Sequence, residues 1–144
     1  MTTVAYAAVT QSGLSFDRQL WMRPEIIPGL RRLTDAIHAE GAAAGIQLGH
    51  CGNMSHKSIC GCMPVGASSG FNLYSPTFVR GLRADELPEM ARAYGRSVNL
   101  AREAGFDSVE IHAGHGYLIS QFLSPSTNHR KDEFGGSLQN RMRF

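Results

Sequence analysis

Short apolar runs and helical-period stripes alternate along this 144-residue chain. Val4-Ala5-Tyr6-Ala7-Ala8-Val9 has the length and character of a buried strand, and Gln11-Ser12-Gly13 breaks it. Pro24 and Pro28 precede a helical stretch from Gly29 to Glu40, in which Leu30, Leu33, Ala36 and Ile37 share one face. Gly41 is a natural C-terminal stop. Ala43 to Leu48 predicts a second buried strand. His50 to Arg83 is rich in Gly, Ser, Pro and Asn and is long for a structureless connection, which predicts a functional segment or small local elements. Asp85 is the expected cap of the next helix, with Pro88 in its first turn. Its apolar positions Leu87, Met90, Ala91, Tyr94, Val98 and Ala101 follow helical spacing, and Gly105 ends it. Ser108 to Ile111 predicts a third strand, and Ser137 the cap of a helix beginning Leu138-Gln139-Asn140-Arg141.

Strands alternating with helices, each strand read as buried on both faces, place the chain in the α/β class with parallel βαβ units. An open doubly wound sheet and a (β/α)8 barrel both satisfy this pattern. No GxGxxG or Walker pattern follows any strand, which weakens the dinucleotide-binding open sheet. Barrels gather their active-site residues at the C-terminal ends of strands. Thr10, Gln47, His50 and His112 stand at such places. A complete barrel takes about 250 residues, whereas only about three βα units are visible here. The expected fold is an incomplete (β/α)8 TIM barrel from the N-terminal half. Three strands of a closed barrel leave two edges unpaired, so residues 1–144 read as a partial domain, a fragment or a chain whose partner supplies the rest.

Composition narrows the function classes. The chain is 42% hydrophobic and 18% charged, with a formal net charge of +2. The basic residues are scattered, without an aromatic-interleaved patch, so no nucleic-acid partner is expected. No run approaches the ~18 apolar residues of a membrane span. Met1-Thr2-Thr3 leads straight into the first strand with no basic or long apolar leader, so a signal peptide is not expected. The three cysteines, Cys51, Cys60 and Cys62, suggest reduced thiols in a cytoplasm. Cys60-Gly61-Cys62 is too closely spaced for an easy mutual disulfide.

The densest chemistry lies in Glu110-Ile111-His112-Ala113-Gly114-His115-Gly116-Tyr117-Leu118. Two imidazoles can donate to one anionic or carbonyl oxygen, and a phenol is a proton donor of high pKa. This points to chemistry at a carbonyl or conjugated system. Imidazoles also bind metals, with His50, Cys51 and His56 as the available partners, but no CxxC or HExxH spacing supports a metal site.

The run from Gly105 through Leu118, then Gln121-Phe122-Leu123-Ser124-Pro125, Asn128 to Ser137 and Asn140-Arg141, closely resembles the old yellow enzyme (NADH:flavin oxidoreductase) family. Upstream, Gln47-Leu48-Gly49-His50-Cys51-Gly52 and Ile37-His38-Ala39-Glu40-Gly41 resemble the same family. The likeness is weakest between Asn53 and Arg83.

The resemblance implies an FMN-containing TIM barrel in which NAD(P)H reduces the flavin and hydride then passes to an activated alkene or a related acceptor. It implies that His112 and His115 hydrogen-bond the substrate's carbonyl oxygen and that Tyr117 protonates the alkene carbon opposite the hydride. An ordinary phenol, with a pKa of about 10, stays protonated at neutral pH, as an acid must. Gln47 matches the glutamine on the flavin's pyrimidine edge, and an amide offers that edge both donor and acceptor. Tyr6 stands where the family usually has a small residue beside the flavin, so a backbone contact is expected of it. Pro24-Glu25, Asp132-Glu133 and Gly135-Gly136 read as structural. The family's first strand, its C-terminal half and the loops that hold the FMN phosphate have no counterpart here. Cys60 and Cys62 do not match the iron–sulfur cysteines of longer members.

The expected protein is therefore an FMN-dependent, cytoplasmic oxidoreductase with a small-molecule substrate and no membrane partner. A homo-oligomer of the full-length enzyme remains open. The competing readings are a truncated, catalytically inactive fragment without stable cofactor binding and a histidine–metal hydrolase.

Overall fold

The computed structural model describes all residues from Met1 to Phe144. Three parallel strands form the main sheet in the order β1-β2-β6: β1 (Thr2–Ala8), β2 (Ala44–Gly49) and β6 (Ser108–Ile111). Helix α1 (Ile27–Ala39) connects β1 to β2, and α3 (Leu87–Glu103) leads into β6. Two βα crossovers and the start of a third are thus present, as expected of part of a (β/α)8 barrel. One face of the sheet packs on α1 and α3 through Ile46, Leu48, Leu30, Leu87 and Met90, all nearly sealed from solvent. Each such side chain contributes roughly 1.5–3 kcal/mol by leaving water.

The other face is open. Glu110 and Ala5 are exposed and Gln47 is half-buried. The expectation that every strand is buried on both faces fails here, most clearly at β6, where Ser108, Glu110 and Ile111 are exposed.

Helix faces differ from the predicted stripes where polar residues take buried places. In α1, Leu33 and Ala36 are exposed, and Thr34 is sealed instead. Its hydroxyl donates to Ala104 O at 2.6 Å, capping the end of α3. In α3, Ala91 and Val98 face solvent, while Ala93 and Ser97 are buried. Ser97 can be buried because its hydroxyl donates to Ala93 O at 2.9 Å. Asp85 does not cap α3. A single 3-10 turn, Ala84–Glu86, precedes the helix, and Glu86 accepts from Arg83 N–H at 2.7 Å. Asp85 instead pairs with the exposed Arg83 side chain. Gly41 and Gly105 end their helices at φ +71 and +89, a backbone region open to glycine. Ser137 caps the last helix, α5 (Leu138–Arg141), accepting from Asn140 N–H at 3.2 Å.

The connection after β2 carries its own structure. Helix α2 (Lys57–Cys60) precedes a small sheet of β3 (Val65–Gly66), β4 (Gly70–Asn72) and β5 (Thr77–Gly81), in the order β3-β5-β4. Arg130 anchors this sheet to the segment after α4 (Leu118–Leu123). Its guanidinium donates to Ala67 O at 3.0 Å and to Leu82 O, and pairs with Asp132 at 2.5 Å. Gly135 lies so close to the Arg130 carbonyl that no Cβ fits. Asp132 and Gly135 thus do the structural work expected of them. No helix is long and apolar enough to cross a membrane.

Candidate active site

The C-terminal ends of β2 and β6 lie side by side, with Gln47 opposite Glu110 and Leu48 opposite Ile111. His112 extends this ladder by donating its N–H to Leu48 O at 2.8 Å. The chain then turns sharply through Gly114, His115 and Gly116 into α4. His115 adopts φ +55, a left-handed conformation costly for a residue with a Cβ. The turn is held from below by buried Gln121, whose amide nitrogen shares its two hydrogens among Gly116 O at 2.6 Å, Asn53 Oδ1 at 2.9 Å and Cys51 O at 3.2 Å. Gly52, at φ +63, leaves room for that amide. Tyr117 occupies the N-cap position of α4 without a side-chain cap bond, so its phenol is free of the helix.

This geometry gathers the three residues expected to be catalytic. The His112 and His115 rings stand edge-to-face with centroids 4.9 Å apart, and His112 Nε2 lies 3.1 Å from His115 Nδ1. Tyr117 lies 4.9 Å from the His112 ring and 6.3 Å from the His115 ring. Burial, reinforced by His115, lowers the pKa of His112 and favours neutral imidazole; Glu110 opposes this weakly. A neutral imidazole presents one N–H donor, the form suited to holding a developing oxyanion without protonating it.

Gln47 sits one layer below on the same open face. Its amide nitrogen donates to Glu110 Oε1. A carboxylate can only accept, so the amide oxygen points away and remains an acceptor for a ligand. Glu110 is the residue that sequence reading passed over. Its signal was the cross-strand register, which a single strand does not display. Tyr6 turns its ring into the cluster, 5.8 Å from His112 and 5.4 Å from Tyr117. Its carbonyl accepts from Gln19 Nε2 at 3.1 Å.

His50 has a different task. It is fully buried, accepting from Gly52 N–H at Nδ1 (2.9 Å) and bonded to Ser12 Oγ at Nε2 (3.0 Å). Burial depresses its pKa to about 3. With both nitrogens committed, it stitches the turns after β1 and β2 and is not available as a metal ligand beside His112. Cys51 is a core thiol bonded to Leu14 O at 3.2 Å, pushed up to about 12 by burial. Cys60 and Cys62 bring their sulfurs to 3.5 Å without being joined. A cavity of about 600 Å³ lies beside Cys62, Met63, Arg80 and Met90, apart from the His–His–Tyr cluster.

A strand-end pair of histidines with a phenol, above a glutamine on the inner face of a parallel sheet, is the arrangement the resemblance implies. The sequence profile of the NADH:flavin oxidoreductase / NADH oxidase family matches residues 1–144. The chain belongs to this family. Among its relatives is the 4,4'-dithiodibutanoate disulfide reductase of Rhodococcus erythropolis, 40% identical over 144 residues, which are all of this chain and 36% of that protein. The NADPH dehydrogenase of Bacillus subtilis (strain 168) is 39% identical over 142 residues, covering 98% of this chain and 41% of that one. The solved old yellow enzyme homologue of Zymomonas mobilis superposes with a TM-score of 0.92 at 34% identity, covering 98% of this chain and 42% of that one. The chain therefore spans about two fifths of the length of these relatives, and its sheet is part of their barrel.

Flavin oxidoreductases of this family carry FMN and draw electrons from NAD(P)H. The residues present fit one edge of that cofactor. The free amide oxygen of Gln47 suits the imide N–H of a flavin pyrimidine ring, and the open inner face around Ala5, Gln47 and Glu110 leaves a flat ring room.

Proposed function

We propose that the protein carrying this chain is an FMN-dependent oxidoreductase that uses NAD(P)H to reduce activated alkenes, chiefly α,β-unsaturated carbonyl compounds, or related acceptors. The observation that carries this reading is the contact of His112, His115 and Tyr117 at the end of β6, above Gln47. FMN, when bound, supplies the hydride and is recharged by NAD(P)H.

The chain's own residues supply the rest. The His112 and His115 N–H groups hold the acceptor's carbonyl oxygen and stabilise the negative charge that grows there. Tyr117, beside them, gives its phenolic proton to the alkene carbon remote from the carbonyl. Gln47, oriented by Glu110, holds the pyrimidine edge. A backbone contact from Tyr6 to the cofactor would use its N–H, since its carbonyl accepts from Gln19. A small-molecule acceptor suits a site formed by a few side chains on an open sheet face. Three unjoined cysteines support a cytoplasmic setting.

One further acceptor class is suggested by the Rhodococcus relative, which is named for reducing a disulfide. The phenol of Tyr117 favours alkenes, because a carbon centre needs a placed proton and a thiolate leaving group does not.

The test is spectroscopic. The purified protein that carries this chain is expected to be yellow, to bleach when NADPH or NADH is added without oxygen, and to recover colour with a simple enone. A colourless protein that takes up no FMN on refolding would overturn the reading. Titrating FMN into residues 1–144 alone decides whether these residues hold cofactor unaided. The open inner face, the unpaired edge of β6 and an edge of β1 that is bridged only at Ala8–Trp21 favour weak binding there.

A further inference from the structure

The β1–β2 ladder slips between Val4 and Ala7: three residue steps in β1 match two in β2. Such a bulge re-aims a side chain. In a regular strand Tyr6 would share the helix-facing side of Val4. With the slip it faces inward, beside Gly49 and His112.

Its ring is then held on several sides. Its hydroxyl donates to Gly13 O at 3.1 Å. The ring lies against Gly49, where a Cβ would come within 2.8 Å of Tyr6 Cδ2 and 3.2 Å of Cε2. The ring also meets those of His112 and Tyr117, at tilts of 57° and 59° and within ordinary aromatic contact distance. Tyr6, His112 and Tyr117 form a closed triangle of rings, because the last two also touch each other. The segment from Gly114 to Gly116 between them holds two glycines and a left-handed histidine, and Gln121 fixes its backbone rather than the rings on either side.

We propose that Tyr6 is a positioning residue: a ring seated on Gly49 that sets the orientation of His112 and Tyr117 toward the acceptor. This rests on the reading of those two residues given above. The glycine at position 49 is part of the device, because any side chain there would expel the ring.

The experiment compares Tyr6→Phe, Tyr6→Ala and Gly49→Ala in the protein that carries this chain. Tyr6→Ala is expected to slow reduction of a simple enone by the reduced enzyme on the order of 10- to 100-fold, as small misplacements of reacting groups do. Flavin reduction by NADPH changes far less. Tyr6→Phe keeps the ring and most of the rate. Gly49→Ala reproduces the loss in the Tyr6 background and adds nothing to Tyr6→Ala, the non-additivity expected of one shared contact. A readout free of turnover is the flip rate of an isotopically labelled Tyr117 ring by NMR, which rises in Tyr6→Ala and Gly49→Ala but not in Tyr6→Phe.

An unchanged Tyr117 flip rate in Tyr6→Ala, or equal loss in both half-reactions, overturns the positioning role. A wild-type protein that reduces no acceptor overturns the functional reading instead, and the ring-flip comparison still decides the role of Tyr6.

Discussion

His112 Nε2 and His115 Nδ1 lie 3.1 Å apart, so the two rings share one proton between them. The Gly114 N–H faces His112 Nδ1 at 3.4 Å, which makes Nδ1 the acceptor and puts the His112 proton on Nε2, an assignment from the hydrogen-bond network. An incoming carbonyl oxygen must take that proton away from His115. Before an acceptor arrives His112 donates to His115, and binding exchanges that one hydrogen bond for two.

Replacing either histidine tests this. His115→Ala removes one donor and frees the other, so acceptor reduction is expected to fall on the order of 10²-fold, the range for losing one oxyanion donor. Stopped-flow measurement of the oxidative half-reaction checks it. A variant as fast as wild type removes His115 from the site.

Tyr117→Phe is expected to slow alkene reduction strongly and to leave flavin reduction by NAD(P)H nearly intact, because only the first step needs a proton on carbon. Separate measurement of the two half-reactions decides. Equal loss in both rejects the proton-donor role.

Stability is expected to fall with pH because His50 is held neutral. Its folded pKa, about 3, lies below the unfolded value of about 6.5, so the unfolded chain gains a proton first as pH drops. The contribution is intact above about pH 6.5 and is lost progressively down to about pH 3. His112, also lowered, adds in the same direction. Denaturation between pH 7 and 4 should show a His50→Asn slope flatter by up to ~1.4 kcal/mol per pH unit. Identical slopes would contradict the linkage.

Tyr94 carries the reverse liability. Its hydroxyl is buried in α3 without a partner, and burial raises its pKa. Tyr94→Phe removes an unsatisfied polar group, so it is expected to be neutral or stabilising by about 1 kcal/mol. A clear drop in melting temperature would show that the hydroxyl has a partner.

Gly52→Ala should be damaging. The position has φ +63, and a Cβ there runs into the Gln121 amide that ties down the His115 turn. Loss of acceptor reduction together with lowered stability is the expected outcome. Full retention of both would mean that Gln121 does not control the turn.

Much of this was readable along the chain. β6 begins and ends where its apolar run predicted, and Gly41 and Gly105 stop their helices, because strand length and left-handed caps are local properties. The His112, His115 and Tyr117 cluster was legible because six consecutive positions after one strand cannot be far apart. The helix faces were misread at Leu33, Ala91 and Val98 because hydrophobicity alone does not reveal that Thr34 and Ser97 find carbonyl partners. Asp85 was misread as a cap because a 3-10 turn inserted before α3 moved the capping carboxylate to Glu86.

What the sequence determined by itself was the alternation of strand and helix, the strand-end position of the chemistry and the family these imply, since each depends on neighbours close in the chain. Only the tertiary structure decided which groups meet across it. Glu110 orients Gln47 through the β2–β6 register, His50 is spent on Ser12 and Gly52, and a one-residue slip in β1 brings Tyr6 onto Gly49. Those outcomes depend on pairing register and on burial, which arise when distant segments pack and have no signature in any one of them.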